Sequence, residues 1–425
     1  MSFITNIRSV AKYESKILVR SWFFRIFTLL AVVFLGFFNF AMMLMEDNFG
    51  LWFAKSVSSN IPYLNLLLLN TGQAVVAVFL SSEFLKRDKK LDTSEVFYVR
   101  PLSNAEYVVG KIWGNLRVFL FLNLLVLAIV LAFNFMASGV AVDLPAYLVY
   151  FFLISIPTLI FIIGLSIFLM LLLKNQALTF ILLLGYIGLT LFYIQDKFYY
   201  LFDYMVYNLP LFKSTIVGFS NLELILNHRA IYFFAGLGFI FFTIFLFKRL
   251  PNARRSHYPW LFLSFCMFLL MGTAGFRHVR SILREGEMRA LYTSINNKYV
   301  YEPKMAIDYY DISVEQKSET IRSVVGMEGT ALAASEVFIF CLNPGLRVEE
   351  VKDGEKSLNF KREEQILAVD FGRKIEKGDT ISFSVSYEGR IKDDFCYLDI
   401  PEEVLQQPHD KEMLKLDKKY SFQTS

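Results

Sequence analysis

Four histidines, His228, His257, His278 and His409, are scattered along the 425 residues. No two stand one helical turn apart as His-Glu-x-x-His, the spacing that grips Zn²⁺ between two imidazoles with the glutamate as base. Nor is there a Gly-x-x-x-x-Gly-Lys-Ser/Thr run, so the chain lacks the loop that cradles nucleotide phosphates. Of the three cysteines, Cys266 sits in an apolar stretch and reads as inert packing. Cys341 and Cys396 could pair only with their Cα atoms within about 7 Å, which spacing leaves open. The residues carry no catalytic or metal-binding motif and imply no cofactor. What they offer is charge and hydrogen bonding.

The densest charge runs from Ser82 to Ser103 and includes Glu83, Asp88, Asp92, Glu95 and Arg100. Asp92 with Glu95 reads as an N-cap and its N3 partner, Val96, Phe97 and Val99 supply an apolar side, and Pro101 stops the turn. Ser103-Asn104-Ala105-Glu106 is a second capping box, launching a helix through Tyr107, Gly110 and Lys111. The pattern predicts a short helix on a membrane surface, able to pass force from a soluble partner to its neighbours. A capped cytosolic loop without that role is the plainer reading. Uncharged polar residues lie within the apolar stretches: Asn39; Asn65, Asn70, Thr71 and Gln73; Asn123; Ser155 and Thr158. Asn65, Asn70, Thr71 and Gln73 either line a translocation path or bond helices together. No acid or base stands at mid-stretch, which argues against an ion-coupled carrier.

The elements that position these residues follow from composition. Hydrophobic residues make up 55%, Phe alone 45 positions, mean hydropathy is +0.45 and charged residues are 19%. A soluble domain carries about 25% charge, so a wholly soluble enzyme and a nucleic-acid binder are excluded. Seven stretches are apolar enough to cross a hydrocarbon core of about 30 Å: 26–45, 61–81, 112–135, 146–173, 176–194, 230–247 and 259–276. Ser155-Ile156-Pro157 should kink the fourth, and Arg117 should snorkel to the start of the third. With the N-terminus inside, 17 Lys and Arg fall on cytoplasmic segments against four (Lys55, Lys197, Lys213 and Arg229) outside. Residues 277–425 are then extracytoplasmic.

Residues 1–21 form a basic amphipathic helix. Arg8, Lys12, Lys16 and Arg20 share one side, and Phe3, Ile7, Val10 and Ile17 the other. It either lies among anionic headgroups or simply fixes topology. The aromatic run 198–204 suits a headgroup boundary.

The tail differs. Residues 1–276 carry 21 cations against 12 acids, and residues 277–425 carry 22 against 27. After a helical stalk, 277–299, alternating runs predict strands at 305–314, 336–342, 347–351, 357–361, 365–371 and 380–387. Asn343-Pro344-Gly345, Lys352-Asp353-Gly354 and Lys377-Gly378-Asp379 separate them as turns. The fold class expected is a membrane all-α bundle followed by an antiparallel β-sandwich at 300–400 and a charged tail, 401–425.

Glu83, Asp88, Thr93-Ser94-Glu95, Pro101-Leu102-Ser103, Tyr107 and Gly110-Lys111 resemble the pattern between the second and third spans of type-2 ABC exporter permeases. The basic prelude resembles that family's connecting helix, and the likeness covers roughly residues 1–250. It implies a six-span permease domain, 22–250, whose coupling region, 82–111, docks on a separate ATP-binding subunit. It also implies a second permease copy or paralogue in the inner membrane, and short re-entrant helices at 195–229. Span 251–276 is additional. Tyr309-x-Asp311-x-Ser313, 342–346, Leu358-x-Phe360, Gly378-Asp379 and Tyr387-x-Gly389 resemble the N-terminal β-domain of gluzincin zinc aminopeptidases. Certain bacterial proteins fuse such a permease to such a peptidase. Their Gly-x-Met-Glu-Asn motif is missing here, with only Gly326-Met327-Glu328-Gly329 as an echo, so no peptidase activity is expected of these residues. The chain is then a piece of a longer fusion or a shortened relative. The expected function is an ABC permease subunit. An aminopeptidase anchor and a non-transporting envelope scaffold are the alternatives.

Overall fold

The computed structural model describes residues 3–44, 58–82, 102–136, 141–194, 197–207, 209, 211, 213, 218–219, 221–247, 258–317, 319–395 and 398. The chain divides into two compact units near residue 280, each with its own apolar core.

The first unit is helical: α1 (Phe3–Arg20), α2 (Trp22–Leu44), α3 (Asn60–Ser82), α4 (Asn104–Met136), α5 (Leu144–Tyr150), α6 (Ile156–Leu173), α7 (Gln176–Phe192), α8 (Leu222–Leu246) and α9 (Tyr258–Lys298). A π-helical turn, Phe151–Ser155, joins α5 to α6. The break falls where Pro157 demands it. Proline has no N–H for the carbonyl four residues back, that of Leu153. Arg229 Nε donates to that carbonyl instead, at 2.7 Å.

Six helical segments are long and apolar enough to cross a membrane among the described residues: α2, α3, α4, the α5–α6 run, α8 and α9. The expected span at 176–194 becomes α7, which stops at Phe192 after 17 residues. At 1.5 Å per residue it reaches about 25 Å, short of the hydrocarbon thickness. The expected final span is the first part of α9, and the stalk continues the same 41-residue helix.

The second unit is two antiparallel sheets. One runs β1-β2-β8-β4-β5 and the other β3-β7-β6. The strands are β1 (Met305–Lys317), β2 (Thr320–Ala331), β3 (Ser335–Cys341), β4 (Leu346–Asp353), β5 (Lys356–Ser357), β6 (Asn359–Glu363), β7 (Ile366–Ile375) and β8 (Thr380–Gly389). Phe340 and Phe371 of the smaller sheet meet Phe383 of the larger in a tilted and an edge-on pair, and Phe338 packs edge-on against Phe371. This is how two apolar sheet faces interdigitate.

Two expectations are corrected here. β2 was absent from the expected strands, yet it is central, paired to β1 on one side and β8 on the other. The single run expected at 357–361 is two strands in different sheets. Leu358 is the corner, buried in the core with its N–H on the Val351 carbonyl at 2.8 Å.

Candidate functional site

The functional residues gather in three places in the helical unit. The first is the start of α4. Ser103 N–H donates to Glu106 Oε2 at 2.6 Å, and Glu106 N–H donates to Ser103 Oγ at 3.1 Å, the reciprocal capping expected from sequence. The second carboxylate oxygen of Glu106 accepts from Asn6 of α1 at 2.8 Å. Asn104 donates to the Phe247 carbonyl, just past α8, at 2.6 Å, and Tyr107 stacks on the Phe247 ring. The first turn of α4 is thereby tied to two other helices, α1 and the end of α8.

Beyond that turn α1 lies directly on α4. Gly110 and Gly114 stand one turn apart on the contact face. A Cβ on Gly110 would meet Val10 Cβ at 2.7 Å, and one on Gly114 would meet Glu14 Cβ at 2.7 Å. Glu14 and Lys111 are both buried and face each other at 3.9 Å. Arg117, expected to snorkel to the start of its span, donates to Ser15 Oγ and the Ala11 carbonyl of α1 at 2.5 and 2.7 Å. Ala11, Glu14 and Leu18 are the buried face of α1, while Phe3 of the expected apolar side is exposed. Arg8, Lys12, Lys16 and Arg20 point outward. The other predicted coupling residues, Glu83, Asp88, Asp92, Glu95, Arg100 and Pro101, lie outside the described residues, as do His257, His409 and Cys396.

The second place is the bundle interior. Asn65 of α3 exchanges amide hydrogen bonds with Asn39 of α2 at 2.7 and 3.1 Å. A turn and a half further on, Gln73 donates to Asn70 Oδ1 at 2.6 Å, and Asn123 donates to Gln73 Oε1 at 2.9 Å. Asn70 donates to Asn123 Oδ1 at 3.3 Å, which closes a ring of three amides. Ser155, at the end of the π turn, adds its hydroxyl to Asn123 Oδ1 at 2.8 Å. All four are fully buried. Thr71, the remaining candidate, stands partly buried away from the ring and bonds back to the Leu67 carbonyl. In this conformation the ring joins α3, α4 and the π turn.

The third place was not legible in the sequence. At the opposite end of the bundle from α1, Arg229 is buried and donates to the Leu153 and Tyr204 carbonyls and to Thr158 Oγ1. Asp203 accepts from the Tyr207 and Leu209 amides at 2.8 and 3.1 Å. Burial first, then the nearby Tyr186 and Asp203, push the Tyr204 hydroxyl well above its ordinary range. His228 and His278, which sequence spacing separates, stand with ring centres 5.1 Å apart. No group of three or more potential metal ligands occurs among the described residues.

The class these units define is a multi-pass helical bundle followed by an antiparallel β-sandwich. No family model matches the chain, and no curated protein matches it. Among solved structures, a two-domain M1 zinc metallopeptidase mutant bound to L-tryptophan shares 17% identity over 20% of this chain and 21% of its own, TM-score 0.20. An M1 zinc metallopeptidase mutant from Deinococcus radiodurans, bound to a Tyr-Ser-Ala substrate, matches over the same shares at 17% identity, TM-score 0.19. The chain thus spans about a fifth of the length of either.

Proposed function

We propose that this chain is the membrane subunit of an ATP-driven transporter whose ATP-hydrolysing subunit is a separate polypeptide. The observation that carries the reading is the clamp at the start of α4. Segment 83–101 feeds directly into a turn bonded to α1, to the end of α8 and to its own capping pair. Force applied to that segment would enter three helices at once. An anchor needs no such coupling.

On this reading the ATP-binding subunit docks on Glu83, Asp88, Asp92, Glu95 and Arg100, and a second copy or a paralogue completes the transporter. The chain lies in the inner membrane with α1 cytoplasmic, seven passes counting the short α7, and the β-sandwich outside. The substrate path forms along Asn65, Asn70, Thr71 and Gln73 when the helices move. The charge-reversed pair Glu95→Lys with Arg100→Glu should abolish copurification with the ATP-binding subunit, and retained binding overturns the coupling role. Ser357→Cys, with the native cysteines replaced by serine, should react with an impermeant reagent in intact cells; protection overturns the orientation. The closed amide ring favours a second reading, in which the bundle anchors the β-sandwich and no ATPase copurifies at all.

A further inference from the structure

Phe198, Tyr199 and Tyr200 form a short turn with φ of 53°, 58° and 62°. Three successive left-handed residues are unfavourable when each carries a Cβ, so something outside the turn holds it. His278 Nε2 meets the Tyr199 carbonyl at 2.8 Å, His228 Nε2 meets the Tyr200 carbonyl at 2.9 Å, and the Tyr232 hydroxyl donates to the Leu201 carbonyl. Three consecutive carbonyls are gripped by side chains from α8 and α9.

A carbonyl oxygen can only accept, so both imidazoles carry a proton on Nε2. Each Nδ1 of the neutral rings is then a bare lone pair. Both rings are fully buried; His228 Nδ1 has no hydrogen-bond partner among the described residues, while the Leu224 backbone carbonyl of α8 faces His278.

The surroundings offer little compensation for added positive charge on His228. From α8 come Arg229, adjacent in sequence, and the Tyr232 ring, 5.3 Å from His228. The loop contributes Tyr199, Tyr200, Tyr204 and Asp203, the last engaged by backbone amides. Tyr186 of α7 stacks on Tyr204. Arg277 of α9 is paired with Glu223 in solvent. A proton on His228 Nδ1 would bury a second cation beside Arg229, against another imidazole and without an acceptor, whereas the Leu224 backbone carbonyl eases a charge on His278. The charge is relieved if the turn lifts and water reaches the rings.

We propose that His228 and His278 form a proton-binding site that latches this turn: neutral, they hold Phe198–Leu201 across this end of the bundle; protonated, they release it. The latch needs no partner subunit and operates whether or not the chain transports. Release would uncover the aromatic layer of Phe161, Tyr186, Tyr204 and Tyr232 beneath, whose rings stand 5.1 to 6.3 Å apart.

The test is hydrogen exchange of segment 197–207 in the full chain in lipid nanodiscs, corrected for intrinsic rates, between pH 7.5 and pH 5. Free histidine titrates near pH 6.5, so protection should fall about tenfold per pH unit below that for each proton taken up. Glutamine can donate to the same carbonyls but cannot take a proton. His228→Gln with His278→Gln should therefore keep the segment protected at both pH values. Tyr232→Phe should lower protection uniformly and retain the pH step. Wild-type protection independent of pH overturns the proposal even if the glutamine variant does not fold. A step surviving in the folded glutamine variant overturns it too.

Discussion

Replacing Asn123 by leucine, a side chain of similar volume, removes a corner of the amide ring without opening a cavity. Three interhelical bonds disappear: to Gln73 at 2.9 Å, from Asn70 at 3.3 Å and from Ser155 at 2.8 Å. Hydrogen bonds between membrane helices average about 0.6 kcal/mol each, so the loss should be about 2 kcal/mol, roughly thirtyfold in the unfolding equilibrium. Ser155 can recover part by bonding to its own helix. Steric trapping in bicelles measures the change directly. The same assay on Gln73→Leu and on the double variant closes a cycle. Because the two residues share one bond and one ring, the double variant should lose less than the sum of the singles. Additivity within about 0.3 kcal/mol would mean uncoupled side chains. A neutral Asn123→Leu would mean that water already satisfies these amides, and the ring would then be refuted in favour of a hydrated path.

Gly114→Leu should lift α1 from α4, seen as faster tryptic cleavage at Lys12 and Lys16, whereas Gly36→Leu, whose Cβ would meet nothing within 4 Å, should leave cleavage unchanged. Breaking the buried Glu14–Lys111 pair from one side, with Lys111→Met, removes the cation facing a buried carboxylate and should cost about 3–5 kcal/mol. Adding Glu14→Gln should recover most of that in thermal unfolding. In the β-sandwich, hydrogen bonds from Tyr299 and then Lys298 hold the Glu363 carboxyl below its ordinary value. That contribution is complete above the unfolded pKa of about 4.3 and is lost as pH falls through the lower folded value. Corrected exchange protection of 359–375 should show this acid step in the native chain and not in Glu363→Gln.

Part of the candidate site was legible because its signals are local. Ser103 and Glu106 are three residues apart, and their mutual bonding needs only the helix they begin. Pro157 removes its own N–H, so the break before α6 follows from residue identity, although the partner of the freed Leu153 carbonyl does not. β8 alternates strictly and was expected almost to the residue. β2 was missed because Gly326 and Gly329 interrupt any apolar alternation with residues that disfavour strands. Its strand character comes from neighbours on both sides, with Gly329 fitting against Ile307 and Ala306.

The amino-acid order alone located most of the apolar helices and the alternating strands, since hydropathy period, caps and proline act within a turn or two. Packing decided which surfaces meet. It set α1 on the small-residue face of α4, turned Arg117 and Arg229 inward to backbone carbonyls, and joined Asn70 to Asn123 across 53 positions. It also brought His228 against His278 from helices 50 residues apart. Such contacts depend on interhelical distances of a few ångströms, which no periodicity within one helix encodes.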